Sequence, residues 1–291
     1  MHSGHRYLFS HLRQLAQQEG LCSLIVTFRQ HPRAVLQTGY LPCLLTSAEE
    51  RLTLLQAEAD RVLMLDFAEI CHLTAREFMQ LLRDQYDVST ILMGYDHRFG
   101  ADQLTQPADY QSAAASLSLR ILTLDEYSIP LNHHPLTLNP KTSSTSIRHA
   151  LESGDIALAN ALLGRPYSLT GHVVHGNAIG RTIGFPTANI LPDEPAQLVP
   201  HAGVYHVQVI SPYALSERDG IANIGTNPTV GNTEQTLELH IPDFDGDLYG
   251  QQLTLRFLRF LRPEQCFPSL DALRQQIAED LQLLSTFRMN R

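Results

Sequence analysis

The period of the hydrophobic pattern changes once along the chain, close to Gly164, and this change constrains the fold more than any other feature. Before it, strand-length apolar runs alternate with helix-length stripes. Leu8, Leu12 and Leu15 recur at i, i+4 and i+7, and Gly20 ends that stripe. Residues 21–28 then form a mostly apolar run suited to a strand buried on both faces. A helix is expected near 47–56, a strand at 62–67, a helix opened by a Thr74/Glu77 capping box, and strands at 90–93 and 119–124. Strands separated by helices predict parallel βαβ units in a doubly wound sheet.

Residues 143–163 are helical in pattern, with Ser143 or Ser144 as N-cap and a break at Ser153-Gly154-Asp155. After Gly164-Arg165-Pro166 the runs become short and β-rich, at 169–174, 204–210, 236–241 and 252–260, with Gly, Pro, Asn and Asp between them. That texture predicts a small antiparallel β-barrel. A closing helix from 269 to about 285 carries Leu270, Leu273, Ile277 and Leu281 on one face, placed to dock on the barrel. The expected division is a first domain at 1–150, a helical linker at 151–166 and a second domain at 167–291.

A length of 291 residues favours two cores over one, and 43% hydrophobic with 18% charged residues excludes a disordered chain. The net charge of −9 argues against general nucleic-acid binding, while leaving room for local basic pockets that take phosphorylated small molecules. The four cysteines are scattered without a C-x-x-C pair, so neither a disulfide framework nor a zinc site is expected. Neither a secretory h-region nor a run of about 18 apolar residues is present, and the expected compartment is the cytosol. The 14 histidines show no ligand spacing, and His133-His134 reads as part of a solvated loop.

Gly180-Arg181-Thr182-Ile183-Gly184-Phe185-Pro186-Thr187-Ala188-Asn189 joins close-approach glycines to a cation and two oxygen-bearing side chains. It reads as a phosphate and hydrated Mg²⁺ cradle, or as a turn between strands. Glu238 shares a strand face with Thr236 and His240, either as a solvated carboxylate or as a general base for a hydroxyl nucleophile. Asp243, Asp245 and Asp247 lack the closing Glu of a calcium loop and read as an acidic turn. His2-Ser3-Gly4-His5 stands at the start of the first helix, suited to phosphate or simply frayed. Ser143 to Arg148 offers hydroxyls and a cation at another helix start, again for phosphate or only as a cap.

Gly171 to Arg181, Gly184-Phe185-Pro186-Thr187-Ala188-Asn189, Asn223 to Thr229, Glu238-Leu239-His240 and Asp247-Leu248-Tyr249-Gly250 together resemble the riboflavin kinase domain. The resemblance implies a six-stranded antiparallel barrel and a Gly-rich segment over ATP, with Gly176, Gly180, Arg181 and Gly184 as nucleotide contacts. It makes Thr187 and Asn189 contacts of the Mg²⁺–nucleotide, Glu238 the base that activates the ribityl 5′-hydroxyl, and Arg262 a residue near the flavin.

His2-x-Gly4-His5, the 94–100 segment and Ser143 to Arg148 resemble the FMN adenylyltransferase half of the bacterial bifunctional riboflavin kinase/FAD synthetase family. This implies that ATP phosphorylates riboflavin to FMN and a second ATP adenylylates FMN to FAD. His2, His5 and Arg148 would stabilise charge, Ser144 and Thr145 would hold phosphates, and Asp96 and Phe99 would frame the nucleotide. The implied ligands are riboflavin, FMN, ATP and Mg²⁺, with no nucleic acid and no membrane. Two other readings stay open: a kinase with an inactive first half, and a non-catalytic flavin or nucleotide module, which would have no need of the Thr187/Asn189/Glu238 set.

The chain departs from the family at its start. Members begin with an apolar strand and a Phe-Asp-Gly-Val segment leading into H-x-G-H, and Met1 stands where that Val is expected. The first strand of a doubly wound sheet is normally central, so exposed apolar surface and unpaired backbone groups are expected in the first domain. Either the product starts upstream or the first half is impaired.

Overall fold

A computed structural model describes residues 1–40, 43–127, 142–176, 180, 184–211, 215–229 and 232–289. Arg181 and the His133-His134 pair lie outside them. The chain divides into two compact units, Met1–Pro42 with Ser47–Thr142, and Cys43–Thr46 with Ser143–Arg291.

In the first unit the elements run α1 (Ser3–Glu19), β1 (Leu24–Phe28), α2 (Pro32–Leu36), α3 (Ala48–Gln56), β2 (Arg61–Leu65), α4 (Phe67–Ile70), α5 (Ala75–Tyr86), β3 (Thr90–Gly94), α6 (Pro107–Ala115) and β4 (Arg120–Leu124). Helix α1 ends where expected, because Gly20 adopts φ 67° and returns its N–H to the last carbonyls. Helix α5 opens with the expected capping box, the Thr74 backbone N–H donating to Glu77 (2.8 Å) and the Glu77 N–H to Thr74 Oγ1 (3.2 Å). Strands β1 and β2 are tied at one end by Asp60, which accepts from both the backbone and the hydroxyl of buried Ser23.

Strand β1 pairs with β2 and β3 with β4, each in parallel and each over five residues. The parallel architecture agrees with the sequence pattern. Among the described residues, however, the two ladders are separate two-stranded sheets, with no hydrogen-bonded register joining β1 to β3. A cavity of about 560 Å³ lies between these two strands, walled also by α1 and α5.

The second unit contains α7 (Ser144–Glu152), α8 (Ile156–Leu163), β5 (Tyr167–Val174), β6 (Ala188–Pro192), β7 (Gly203–Ser211), β8 (Leu215–Thr229), β9 (Asn232–His240), β10 (Gln252–Arg262) and a C-terminal helix, Leu270–Met289. The strands close an antiparallel barrel in the order β10-β5-β6-β9-β8-β7. Alternation puts Leu253, Leu255 and Phe257 of β10 inside with Tyr167, Leu169 and Tyr205, all fully buried.

Helices α7 and α8 differ from the expected boundary at 150 and linker at 151–166. They belong to the barrel unit, because Ile147, Leu151, Ile156, Leu162 and Leu163 are buried in the barrel's own core cluster. Asn160 makes the attachment specific. Its amide donates to the Phe257 carbonyl at 2.9 Å and accepts from the Tyr167 N–H at 2.8 Å. The segment Cys43–Thr46 joins the same unit through Leu44, whose N–H reaches Ala196 O (2.7 Å) and whose carbonyl accepts from Leu198 N (2.8 Å).

The C-terminal helix docks by its second half. Leu284 is buried with Leu281 against Val204 and Ile221, whereas Leu270, expected on the docking face, is 57% exposed.

Candidate active sites

The barrel brings three of the expected kinase residues, Thr187, Asn189 and Glu238, to neighbouring positions. Strand β6 lies between β5 and β9, with Asn189 facing Val174 on one side and Glu238 on the other. Glu238 in turn faces Asn223 of β8. Thr187, one residue before β6, donates its hydroxyl to Glu238 Oε2 at 3.3 Å. The threonine, asparagine and glutamate thus form one contiguous set of oxygen donors, 51 residues apart in sequence at their widest hydrogen bond.

The loop before β6 is shaped to leave this set room. A methyl group at Gly176 would stand 2.0 Å from the Asn189 amide nitrogen, so only glycine allows the asparagine its position. Gly184 has φ 86°, a conformation open to few side chains, and the Phe185 N–H donates to the Gly180 carbonyl at 2.9 Å. His240 fastens the following segment, its Nδ1 lying 2.8 Å from the Pro186 carbonyl oxygen.

A cavity of about 600 Å³ opens beside the set. Thr187 and Ala188 line it with Leu239, Asp245, Asp247 and Tyr249, and Thr187 is the member of the set that stands on its wall. The acidic turn read as ordinary in the sequence therefore forms part of this wall. Asp247 accepts the Tyr249 N–H at 2.9 Å, and the Tyr249 ring stacks on His175 with centroids 4.0 Å apart. Pattern alone gave no role to His175 or Tyr249, since the two meet only when the β5 end and the 241–250 loop come together.

No group of three or more His, Cys, Asp or Glu side chains suited to a metal occurs among the described residues. The donors at the barrel site are instead a hydroxyl, an amide and one carboxylate. That set matches Mg²⁺, which prefers oxygen, keeps much of its water and completes its shell with substrate phosphates.

Arg262 stands at the end of β10, and its donors are engaged. Its Nε and Nη2 donate to the Asp280 carboxylate at 3.0 and 2.9 Å, with Asp280 only 2% exposed and the Arg262 side chain 14% exposed. The guanidinium also lies over the Phe267 ring, 5.7 Å from its centroid. The visible work of Arg262 is to hold the C-terminal helix.

In the first unit, His2 is the N-cap of α1, and its backbone N–H donates to His5 Nδ1 at 3.3 Å. The two rings lie 3.9 Å apart by centroid. Burial, reinforced by the nearby amino terminus, pushes the His2 imidazole down to about 4, against a smaller opposing pull from Asp96. Burial is also the main cause at His5, lowered to about 3, with His2, the amino terminus and His97 adding like-charge repulsion. Both rings are neutral at pH 7. His2 Nδ1 is buried without a hydrogen-bond partner, an orphaned polar atom at a helix start.

Asp96 is exposed beyond β3, while Phe99 is fixed from both sides of its backbone by the Tyr110 hydroxyl, at 3.0 Å to its N–H and 2.9 Å to its carbonyl. Ser144 and Thr145 begin α7 in the second unit, where Ser143 caps the helix by accepting from Ser146 N at 3.1 Å. Arg148 donates Nε to the Cys43 carbonyl at 2.6 Å. The residues expected for nucleotidyl transfer are therefore shared out, His2, His5, Asp96 and Phe99 in one unit and Ser144, Thr145 and Arg148 in the other.

Comparison with known proteins accords with both halves. A family model described as FAD synthetase matches residues 1–133, and one described as riboflavin kinase matches residues 163–287. The bifunctional riboflavin kinase/FMN adenylyltransferase of Escherichia coli K12 is 36% identical over 285 residues, covering 96% of this chain and 87% of the relative. Its counterpart in Haemophilus influenzae is 35% identical over 99% of this chain and 91% of its own length. The Bacillus subtilis protein of the same name is 31% identical over 97% and 87%.

A crystal structure of a Streptococcus pneumoniae protein named as a macrolide-efflux protein superposes with a TM-score of 0.84, at 30% identity, over 97% of this chain and 89% of that one. The efflux role in that name belongs to that protein. No helix among the described residues here is long and apolar enough to cross a membrane. With a riboflavin kinase domain and an FAD synthetase domain in one chain, and relatives of this identity along nearly its whole length, the chain belongs to the bifunctional riboflavin kinase/FMN adenylyltransferase family.

Proposed function

We propose that the barrel transfers the γ-phosphoryl group of ATP to the 5′-hydroxyl of riboflavin, and that the product FMN is then adenylylated to FAD. The observation that carries this reading is the neighbouring placement of Thr187, Asn189 and Glu238, with Thr187 on the wall of an open cavity. Glu238 accepts the hydroxyl proton as the ribityl oxygen bonds to the γ-phosphorus and the bond to the β-phosphate oxygen breaks, leaving ADP. Thr187 and Asn189 would hold the metal–nucleotide, and the backbone N–H groups at Gly176, Gly180 and Gly184 would face the phosphates. When bound at these oxygens, Mg²⁺ supplies charge neutralisation on the β- and γ-phosphates. Arg262 orders the C-terminal helix beside the flavin end through Asp280.

In the second step the FMN phosphate is itself the nucleophile. Its oxygen bonds to the α-phosphorus of ATP and pyrophosphate leaves, so the protein supplies charge stabilisation without a general base. His2, His5 and Arg148 take that role, Ser144 and Thr145 contact phosphates, and Asp96 and Phe99 frame the nucleotide. His2 and His5 act as neutral donors or take up protons as the anionic substrate arrives. The open space between β1 and β3 favours a second reading of this half, in which FMN accumulates and FAD does not. We assign the activity to the cytosol, a reading supported by four free cysteines.

The experiment is incubation with riboflavin, ATP and Mg²⁺, followed by chromatographic separation of flavins. FMN is expected, and FAD if the first unit is competent. A folded sample that makes no FMN contradicts the reading.

A further inference from the structure

Phe185, Pro186 and Thr187 run into β6 outside any strand, and among the described residues the β6–β9 ladder registers only Ala188 against Leu239 and Asn189 against Glu238. Continued by one step, the same antiparallel register sets Thr187 against His240. Pro186 has no N–H, so its carbonyl is the one backbone group through which it can be hydrogen-bonded. That carbonyl oxygen lies 2.8 Å from His240 Nδ1. A side chain thus takes up the tie where the ladder stops.

A carbonyl oxygen only accepts, so the hydrogen of this bond sits on His240 Nδ1, and the bond selects which ring nitrogen carries it. The same ring meets the Phe185 ring edge to face, with centroids 5.7 Å apart and planes at 84°. His240 therefore touches both residues that precede Thr187. Phe185 is held further by its N–H on the Gly180 carbonyl, at 2.9 Å. Gly180 packs closely on this segment, since a Cβ there would crowd the Phe185 carbonyl oxygen and stand 3.1 Å from Thr187 Oγ1.

The Thr187 hydroxyl needs such restraint. Its bond to Glu238 Oε2 is 3.3 Å long, well beyond the distance of about 2.7–2.8 Å usual for a hydroxyl donor, and holds it weakly. Glu238 and His240 stand two residues apart on β9 and share one face. A single strand therefore carries both the carboxylate and the strut that sets the threonine beside it.

The geometry points to His240 as a positioning residue for phosphoryl transfer, whose Nδ1–H on the Pro186 carbonyl sets the place of the Thr187 hydroxyl relative to Glu238. This rests on the kinase reading of the site, in which Thr187 meets the metal–nucleotide. His240 acts through Thr187 and needs no contact with either substrate.

The test separates the Nδ1 donor from the bulk of the ring. In His240→Asn the amide nitrogen is bonded to Cγ and takes the place of Nδ1, in His240→Gln it takes the place of Nε2, and His240→Leu has no donor. In assays of FMN formation, kcat/KM for MgATP is expected to fall by at least about tenfold in the Gln and Leu variants and by less than about threefold in the Asn variant. The loss should lie mainly in KM for MgATP, with KM for riboflavin held within about twofold. Packing alone would favour Leu and Gln over Asn, which keeps the least bulk against Phe185, so an Asn variant no better than the Gln variant overturns the inference. A parent chain that makes no FMN overturns the kinase reading and with it what is built on it. In the parent chain without any substrate, nitrogen NMR in alkaline buffer is expected to find the hydrogen of the His240 ring on Nδ1. A ring that carries it on Nε2 alone overturns the inference whether or not the chain makes FMN.

Discussion

At the scale of single residues, His2 and His5 make the sharpest statement. Their folded pKa values, about 4 and about 3, lie below the ordinary 6.5. The unfolded chain therefore binds more protons than the folded one as pH falls below about 6.5. The contribution of these rings is present in full above that pH and is lost as pH falls towards about 4 for His2 and about 3 for His5. We predict that acid unfolding of the first unit begins in this window and that NMR titration finds both imidazoles neutral at pH 6. Blocking the amino group of Met1 removes one of the charges that lowers both values, so the two titrations should move upward. A His5 that titrates at its ordinary value would show that the ring is solvated.

The same scale shows what sequence could and could not reveal. The proximity of Thr187, Asn189 and Glu238 was legible because each sits in a short motif and the motifs together resemble one family domain. The contact of Arg262 with Asp280 was not, since neither residue belongs to a pattern that announces the other. The stack of His175 on Tyr249 depends in the same way on loops that meet only after the barrel closes.

Among elements, the C-terminal helix illustrates how a buried charge alters an apolar stripe. Periodicity nominated Leu270, Leu273, Ile277 and Leu281, yet the docked face is built from Asp280, Leu281 and Leu284. Asp280 is buried because Arg262 neutralises it, and this shifts the contact towards the second half of the helix. Removing one partner of such a pair leaves the other charge buried and uncompensated, which costs about 3–5 kcal/mol. We predict that Asp280→Asn lowers the unfolding free energy of the barrel unit, measured by urea denaturation, by an amount near the lower end of that range, about 3 kcal/mol. A change below about 0.5 kcal/mol would place the pair among ordinary surface interactions.

Helices α7 and α8 carry a related lesson. Their helical pattern and the Gly154 break were plain in the sequence, but their allegiance was not. It is decided by Asn160 reaching β5 and β10, and by apolar residues whose partners lie far along the chain. The β strands fared better, because alternation along a closed barrel fixes which side chains point inward wherever the strand runs. In the first unit, periodicity found β1 to β4 but could not show that β1 and β3 would stand apart.

Across the whole molecule, two units carry chemistry in sequence, with the product of the barrel serving as substrate for the second step. On the proposed mechanism the activities are separable, because Glu238 would deprotonate an alcohol and would have no task when the nucleophile is already a phosphate anion. The most direct measurement is therefore the flavin output of Glu238→Gln, alongside MgATP binding by calorimetry. The account predicts that FMN formation from riboflavin falls about a hundredfold or more, with ATP affinity retained and the yield of FAD from supplied FMN equal to that of the parent chain. Undiminished conversion of riboflavin to FMN by this variant would contradict it.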